Sequence, residues 1–313
     1  MRRLTHPVNI ALALSVALVA YIALNSPIFQ TYVRVAPDAS PVFAGKTPPL
    51  ETPVAPVPQP IANSAEQRSM AVGRQPCTNP NALGVARTVE VDTAGGPGFG
   101  FAQYKAYDFL LLNEVVLTFD DGPWPGNTRK VLDALAQHCV KATFFPIGKH
   151  AVWHPEILKE VAAAGHTIGG HTWSHANLGK LKGDKATEEI EKGFSAVRLA
   201  LGAPPAPFFR FPYLQDPKDQ IAYLGSRNIA IISHDLDSFD FRMHKPEDVI
   251  KSVMTKLERK GKGIILMHDF QQATTKAMPD LLNELKAKGY KVVHMKAKTP
   301  VATLAQWDAA AKN

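Results

Sequence analysis

The part of the chain after Pro123 alternates between amphipathic helical patterns and short apolar stretches. The helical patterns cover Thr128–Gln137, His154–Ala164, Lys185–Leu201, Lys218–Ser226, Pro246–Lys260 and Pro279–Lys288. The apolar stretches are Ala142–Ile147, His166–Ile168, Pro207–Phe211, Ile229–Ser233, Gly263–Met267 and Tyr290–His294. This alternation predicts parallel βα units of an α/β protein, closed as a barrel or open as a doubly wound sheet. In both arrangements chemistry sits at the carboxyl ends of the strands.

The first strand of this series leads into the motif Leu117–Pro123, which reads Leu-Thr-Phe-Asp-Asp-Gly-Pro. A buried strand from Glu114 delivers Asp120 and Asp121 to a Gly-Pro turn. Adjacent side chains of a strand point to opposite sides, so the two carboxylates can have different tasks. Asp-Gly-Pro is also ordinary turn chemistry, and a functional interpretation depends on the other strand ends.

Two histidines follow the apolar stretch His166–Ile168, in the order Gly-Gly-His171-Thr-Trp-Ser-His175. This spacing after two glycines can direct both imidazoles at one ion. With Asp121 as third ligand, one coordination position stays open for water, as in catalytic zinc sites. Two hydrogen-bonded histidines in a turn are the alternative for this pair in isolation.

Charged residues close the next three strands. Arg210 lies in an apolar run, which predicts a buried arginine paired with a carboxylate. Asp235, Asp237 and Asp240 follow Ile229–Ser233, and we expect only one of the three to be functional. His268 ends a very hydrophobic strand, a favourable place for a general acid.

These five stretches occur in one order, Thr-Phe-Asp-Asp-Gly-Pro, His-Thr-x-x-His, Arg-x-Pro-Tyr, Asp-Ser-x-Asp and Leu-x-His. In this respect the chain resembles the polysaccharide deacetylase family, the carbohydrate esterase group that includes the nodulation chitooligosaccharide deacetylases. The resemblance covers about Asn113 to Trp307. It implies a distorted, incomplete (β/α) barrel with a divalent metal at its mouth, usually Zn²⁺, with Co²⁺, Ni²⁺ or Mn²⁺ as alternatives.

The resemblance also implies a role for each motif residue. The metal ligands would be Asp121, His171 and His175. The catalytic residues would be Asp120 as general base, oriented by Arg210, and His268 as general acid, oriented by Asp240. The substrate-binding residues would be Tyr213 through its backbone N–H, Pro212, Leu266 and Phe241. At two positions where many relatives carry Trp, this chain has Phe241 and His234. Phe241 keeps an apolar wall without the indole donor, so we expect the substrate fit to differ. For His234 a structural role is expected, with a substrate contact as the alternative. The remaining histidines, His150, His154, His166, His244 and His294, are assigned to the surface or the core.

The N-terminal part has a different composition. Arg2 and Arg3 precede an uncharged run, Val8–Leu24, which predicts a signal anchor in residues 1–34, with a cleaved signal peptide as the alternative. Eight prolines between Val35 and Pro60 predict a disordered linker over residues 35–73. Residues 74–112 form an N-terminal extension, in which Ala94–Gly100 reads as a flexible connector. Residues 113–313 form the deacetylase domain.

The N-terminal pattern predicts export, with the protein anchored in the membrane and facing the periplasm or the cell exterior. Export permits a disulfide, and we predict one between Cys77 and Cys139, the two cysteines of the chain. Two independent cysteines are the alternative. The net charge of +7 comes with lysines that read as solvated helix faces rather than one cluster. We therefore expect no nucleic-acid partner, and a monomer.

Three functions are compatible with this sequence. The first is a hydrolase that removes N-acetyl groups from an N-acetylglucosamine-containing glycan, by attack of a metal-activated water with an Asp base and a His acid. The glycan could be peptidoglycan, a chitin oligomer or an exopolysaccharide. The second is an O-acetyl glycan esterase, and the third is a catalytically silent glycan-binding or scaffold domain. The chain has no Gly-x-Ser-x-Gly nucleophile elbow, which argues against the commonest serine hydrolases.

Overall fold

The computed structural model of the protein describes residues 77–181 and 183–311. The predicted anchor (1–34) and linker (35–73) lie outside these residues. Within the described ranges, no helix combines the length and the apolar character that crossing a membrane requires. What the structure describes is therefore the predicted deacetylase domain with most of its N-terminal extension.

Ten strands, all paired in parallel, form the centre of the described residues. They are β1 (Val85–Val91), β2 (Gly98–Phe99), β3 (Glu114–Asp121), β4 (Thr143–Pro146), β5 (Thr167–Ile168), β6 (Phe208–Phe209), β7 (Ala230–Ile232), β8 (Leu236–Asp237), β9 (Gly263–His268) and β10 (Lys291–Ala297). The larger sheet has the order β1-β10-β3-β4-β5, with β9 also beside β3 and β8 beside β9. The second sheet has the order β2-β7-β6.

A single parallel bridge between Gly170 and Phe209 connects the end of β5 to β6. The pairings thus run from β8 through β9, β3, β4 and β5 to β6 and β7, which is the course of a barrel that does not close. This agrees with the expected distorted, incomplete (β/α) barrel. All eight residues of β3 are buried, because the strand has neighbours on both edges and side chains on both faces.

Eight α-helices surround the strands in the described residues. They are α1 (Asn127–Gln137), α2 (Gly148–Trp153), α3 (Pro155–Ala163), α4 (Asp184–Leu201), α5 (Lys218–Ser226), α6 (Pro246–Lys260), α7 (Gln272–Ala287) and α8 (Ala305–Ala310). Each longer helix turns one apolar stripe to the sheet; α1, for example, buries Val131, Ala134 and Leu135. Most predicted helices are confirmed to within a few residues, whereas α2 and α8 were missed.

The predicted start of the last long helix at Pro279 is wrong. α7 begins at Gln272 and runs through Pro279 in its interior. A proline inside a helix costs about 3 kcal/mol, and this cost favours a start at the proline when the sequence alone is considered. Here Ala277, Met278 and Leu281 are fully buried on either side of it. Burial of large apolar side chains contributes about 1.5–3 kcal/mol each, so tertiary packing overrides the local preference.

The glycine-rich run Ala94–Gly100 is not the flexible connector that its composition predicts. Gly98 and Phe99 pair with β7. A Cβ atom at Gly96 would lie 2.6 Å from the Gly225 Cα, and one at Gly100 would lie 2.6 Å from the backbone nitrogen of His234. The glycines therefore let two backbones approach closely, which explains their number at this place.

The N-terminal extension is attached to the barrel by covalent and hydrogen bonds. Cys77 and Cys139 form the predicted disulfide, with 5.7 Å between their Cα atoms. The Asn79 side chain donates a hydrogen bond of 2.7 Å to the Gln137 carbonyl, and the Gly84 N–H donates one of 2.8 Å to the His138 carbonyl. β1 then pairs along its length with β10.

We expect loss of the disulfide in Cys77→Ser/Cys139→Ser to lower the free energy of unfolding. The bond closes a loop with a sequence separation of 62 residues, and the chain-entropy model assigns about 4 kcal/mol to such a loop. Chemical denaturation of wild type and variant, each with and without reductant, measures the difference. Reductant should destabilise the wild type and leave the double variant unchanged; equal stability of wild type and variant without reductant would contradict this.

Candidate active site and metal centre

The carboxyl end of β3 places its two adjacent aspartates in different surroundings. Asp120 keeps strand geometry, in register with Phe145 of β4 and His268 of β9. Asp121 has φ of 73°, in the left-handed region that non-glycine residues rarely adopt. The chain therefore leaves the strand direction at Asp121, and both side chains can serve one site from different directions.

Asp121, His171 and His175 converge into a cluster whose ligand atoms lie within 4.8 Å of one another. Nε2 of each histidine is 3.4 Å from Oδ1 of Asp121, too far for a normal hydrogen bond. That oxygen is buried and has no hydrogen-bond partner among the described residues. An unpaired buried carboxylate oxygen facing two imidazole nitrogens fits a divalent cation, and Asp-His-His is a suitable donor set.

A backbone contact orients His171. Its Nδ1 lies 2.7 Å from the Arg210 carbonyl oxygen. Because a carbonyl can only accept, Nδ1 carries the proton and Nε2 presents its lone pair to the cluster. His175 is packed against the ring of Tyr213, with 4.6 Å between ring centroids.

The pKa values of Asp121 and His175 favour the protonation states in which these side chains can bind a metal. Burial alone would raise the pKa of Asp121, but the imidazoles of His171, His268 and His175 outweigh it and hold that pKa well below its usual range. Burial and the neighbouring His171 lower the pKa of His175 to about 4. His175 is therefore neutral at pH 7, and its own effect on Asp121 is weak there. A carboxylate beside neutral imidazole is the protonation state that binds a metal.

Arg210 is fully buried and joins the two sheets. Its Nη1 donates to Oδ1 of Asp120 (2.7 Å) and to the Thr118 hydroxyl (2.8 Å). Nε and Nη2 donate to the carbonyls of Ile232 and Ser233, each at 2.8 Å. The predicted pairing of Arg210 with a carboxylate is confirmed by this geometry. It also fixes Asp120 so that Oδ2, 4.0 Å from Nε2 of His171, faces the cluster.

His268 and Asp240 form a second pair on the other side of the cluster. Nδ1 of His268 donates to Oδ1 of Asp240 at 2.6 Å, and the His268 backbone N–H donates to Oδ2 at 2.7 Å. Thr274 donates a further short hydrogen bond to Oδ2. Nε2 of His268 is left pointing at the cluster, 4.0 Å from Oδ2 of Asp121.

Burial opposes a positive charge on His268. The hydrogen bond and charge of Asp240, together with the charges of Asp121 and Asp120, outweigh it and raise the pKa of His268 to about 9. The other two acids of that segment accept hydrogen bonds from backbone N–H groups instead: Asp235 from Phe101 and Ile264, and Asp237 from Phe239. Of the three, Asp240 is the one whose carboxylate accepts hydrogen bonds from His268, the residue that faces the cluster.

The remaining predicted residues surround this centre. Pro212 is buried, and Tyr213 follows it with a left-handed backbone (φ 57°) and an exposed ring. Leu266 is buried in β9, two positions before His268 on the same face. The exposed Phe241 ring lies edge-on to His268, with 5.6 Å between ring centroids.

Two residues near the site were missed by sequence analysis. His150, assigned to the surface or the core, donates from Nδ1 to the Asp121 carbonyl oxygen at 2.6 Å. Asp269 is buried; it accepts from the Gly122 N–H (3.1 Å) and from the Thr128 hydroxyl (2.5 Å), and burial raises its pKa to about 7. Both follow strand ends, β4 and β9, so the rule that found the other residues could have indicated them.

Comparison with known proteins gives matches over the same part of the chain. Residues 112–230 match the family model described as polysaccharide deacetylase. A peptidoglycan-N-acetylglucosamine deacetylase of Bacillus cereus is 35% identical over 202 residues, which cover 62% of this chain and 72% of that protein. A chitooligosaccharide deacetylase of Bradyrhizobium sp. is 30% identical over 207 residues, which cover 61% of this chain and 94% of that protein.

Among solved structures, a peptidoglycan deacetylase of Bdellovibrio bacteriovorus superposes with a TM-score of 0.62 at 36% identity. The match covers 68% of this chain and 59% of that one. The present chain therefore spans less than two thirds of that solved chain.

We expect the protein to bind about one equivalent of Zn²⁺ through the three clustered side chains. Asp121→Asn and His175→Ala remove ligand atoms and should each weaken binding by more than about 100-fold, beyond what loss of an outer partner usually costs. Asp120→Asn serves as the matched control, because its neighbour Arg210 already occupies Oδ1, and it should keep the metal. Isothermal titration of the apoprotein measures all three; metal loss in Asp120→Asn with retention in Asp121→Asn would reverse the assignment.

We also expect His268 to titrate near pH 9 in the metal-free protein. It should be protonated below that pH and lose its charge as the pH rises through it. In Asp240→Asn the pKa of His268 should fall, because burial still opposes the charge while its main partner is neutral. Nuclear magnetic resonance of the imidazole signals against pH tests this, and an unchanged pKa in the variant would contradict the role of Asp240.

Proposed function

The chain belongs to the polysaccharide deacetylase family, and from that premise we propose that it hydrolyses N-acetyl groups of an N-acetylglucosamine-containing glycan outside the cytoplasm. One observation carries the proposal. A carboxylate, Asp120, and an imidazole, His268, lie in register on neighbouring strands and flank a ligand cluster. The buried carboxylate oxygen of that cluster has no hydrogen-bond partner in the part of the chain that the structure describes.

The cluster of Asp121, His171 and His175 would hold the divalent metal, for which Zn²⁺ is the first candidate. When bound, such a metal lowers the pKa of water and polarises a carbonyl oxygen. The protein's own contribution is to fix the three ligand atoms, through the Arg210 carbonyl at His171 and through the backbone turn at Asp121.

Asp120 is proposed as the general base. Arg210 engages its Oδ1, so Oδ2 remains for the proton of the attacking water. The position of Oδ2 on the cluster side supports this assignment. A base within hydrogen-bond reach of the nucleophile is what the attack on an acetamide carbonyl requires.

His268 is proposed as the general acid. Its Nδ1 is taken by Asp240, and its Nε2 carries the proton that an amine leaving group needs. A pKa of about 9 without metal keeps the imidazole protonated at neutral pH, and a bound cation would lower that value. Protonation matters because an amine anion is a very poor leaving group.

The substrate contacts are proposals of the same kind. The Tyr213 backbone N–H would stabilise the developing oxyanion, beside the buried Pro212. Leu266 would line the pocket for the acetyl methyl group, and Phe241 would form an apolar wall against a sugar ring. The buried position of Leu266 and the exposed ring of Phe241 next to His268 support these two roles.

The disulfide between Cys77 and Cys139 supports the proposed export, since such bonds persist in oxidising compartments. Anchoring through residues 1–34, and the monomeric state, stay predictions from the sequence. An O-acetyl esterase is the second candidate, because the same groups can cleave an ester. The buried acid pair of His268 and Asp240 favours the amide, whose leaving group needs the proton.

We expect His268→Ala to lower kcat on N-acetylglucosamine oligomers by roughly 10²–10⁴-fold, the usual contribution of a general acid. Hydrolysis of an activated aryl acetate should fall much less, because its leaving group departs without a proton. Asp120→Asn is the matched control and should impair both substrates. Acetate release measures each reaction, and equal losses on amide and ester in His268→Ala would remove the proposed acid. No acetate from any acetamido glycan with the wild-type holoenzyme would refute the function.

A further inference from the structure

A groove of about 760 Å³ opens along α6 and the segment that precedes it. Five cationic side chains line it against one carboxylate, that of Asp248. The cations are Arg242, Lys245, Lys251, Lys256 and Arg259. The prediction that the lysines form no cluster is therefore wrong for these three, because the fold gathers them with two arginines on one surface.

The positive charge of the groove is not neutralised by the protein. None of the five cations forms an ion pair with any residue in the ranges 77–181 and 183–311. The Lys256 ammonium donates to the Asp237 carbonyl and to the Ser252 hydroxyl, which are uncharged acceptors. Uncompensated like charges repel one another, and a complementary anion relieves this repulsion.

One residue of the groove lining, Arg242, lies close to the candidate active site. The Arg242 guanidinium carbon lies 5.2 Å from the centroid of the Phe241 ring. The Phe241 ring also contacts His268, with 5.6 Å between the two ring centroids. The Phe241 ring thus lies between Arg242 of the groove and the proposed general acid.

We propose that this groove binds carboxylates carried by the glycan strand next to the acetamido sugar under attack. The substrate would then be an anionic N-acetylglucosamine polymer of the peptidoglycan type, whose lactyl groups and stem peptides carry carboxylates, and not neutral chitin. This inference rests on the proposed function and narrows its substrate class. Lysines and arginines in an exposed groove suit flexible carboxylates, since they need no single fixed geometry.

The test compares one anionic substrate with two neutral ones. The anionic substrate is a peptidoglycan oligomer with free carboxylates, and the neutral ones are the same oligomer with its carboxylates amidated and an N-acetylglucosamine hexamer. Lys245→Gln/Lys251→Gln/Arg259→Gln removes three groove charges and leaves Arg242 and Lys256, which contact aromatic rings near the mouth. The matched control is Lys130→Gln/Lys159→Gln/Lys185→Gln, with three exposed lysines outside the groove.

Exposed charge pairs are individually weak, so we expect the groove variant to lose roughly 10-fold in kcat/KM on the anionic oligomer at low salt. On both neutral substrates it should match the control variant, and added salt should reduce the wild-type preference for the anionic oligomer. Equal kcat/KM for free and amidated oligomers in the wild type, or equal losses in the groove and control variants, would overturn the proposal.

Binding separates this proposal from the function on which it rests. If the wild-type holoenzyme released no acetate from any of the three substrates, the proposed function would fail. Titration of the anionic and amidated oligomers into the holoprotein would then test the groove proposal independently of acetate release. Tighter binding of the anionic oligomer, weakened only in the groove variant, supports the groove, and equal binding of both oligomers refutes it.

Discussion

The buried guanidinium of Arg210 is the interaction on which the rest of the site depends. It spans from β3, through Thr118 and Asp120, to the carbonyls of Ile232 and Ser233 at the end of β7. A buried charge without partners is costly, and removal of one member of such a pair costs about 3–5 kcal/mol. Fold and chemistry are coupled here, because one of the contacts that join the two sheets also orients the proposed base.

The proposed base and the proposed acid each have a partner of opposite charge. Asp120 forms an ion pair with the Arg210 guanidinium, and His268 pairs with the carboxylate of Asp240. Two titratable groups in one cleft would otherwise exchange a proton and lose their distinct roles. The surrounding structure thus sets which group accepts and which donates.

Much of this arrangement could be predicted from the sequence, because parallel strands bring their carboxyl ends to one edge and the polar residues there stand out against apolar runs. What escaped prediction depends on contacts that no local pattern encodes. His150 and Asp269 act on the backbone of another strand's loop. Packing carries α7 through Pro279, and close backbone approach explains the glycines around Gly98. The cationic groove arises only when the loop at Arg242 folds against α6.

The Cys77–Cys139 bond has a mechanical consequence for a protein that is tethered to a surface through the chain before Cys77. β3 runs toward the catalytic mouth and α1 runs back from it, so Cys139, between α1 and β4, lies at the opposite pole of the barrel. Cys77 is held at that same pole. A tether attached at Cys77 would transmit force to the disulfide and to the pole of the barrel opposite the site. The carboxyl ends of the strands, which hold the proposed reacting groups, would then carry little of that force.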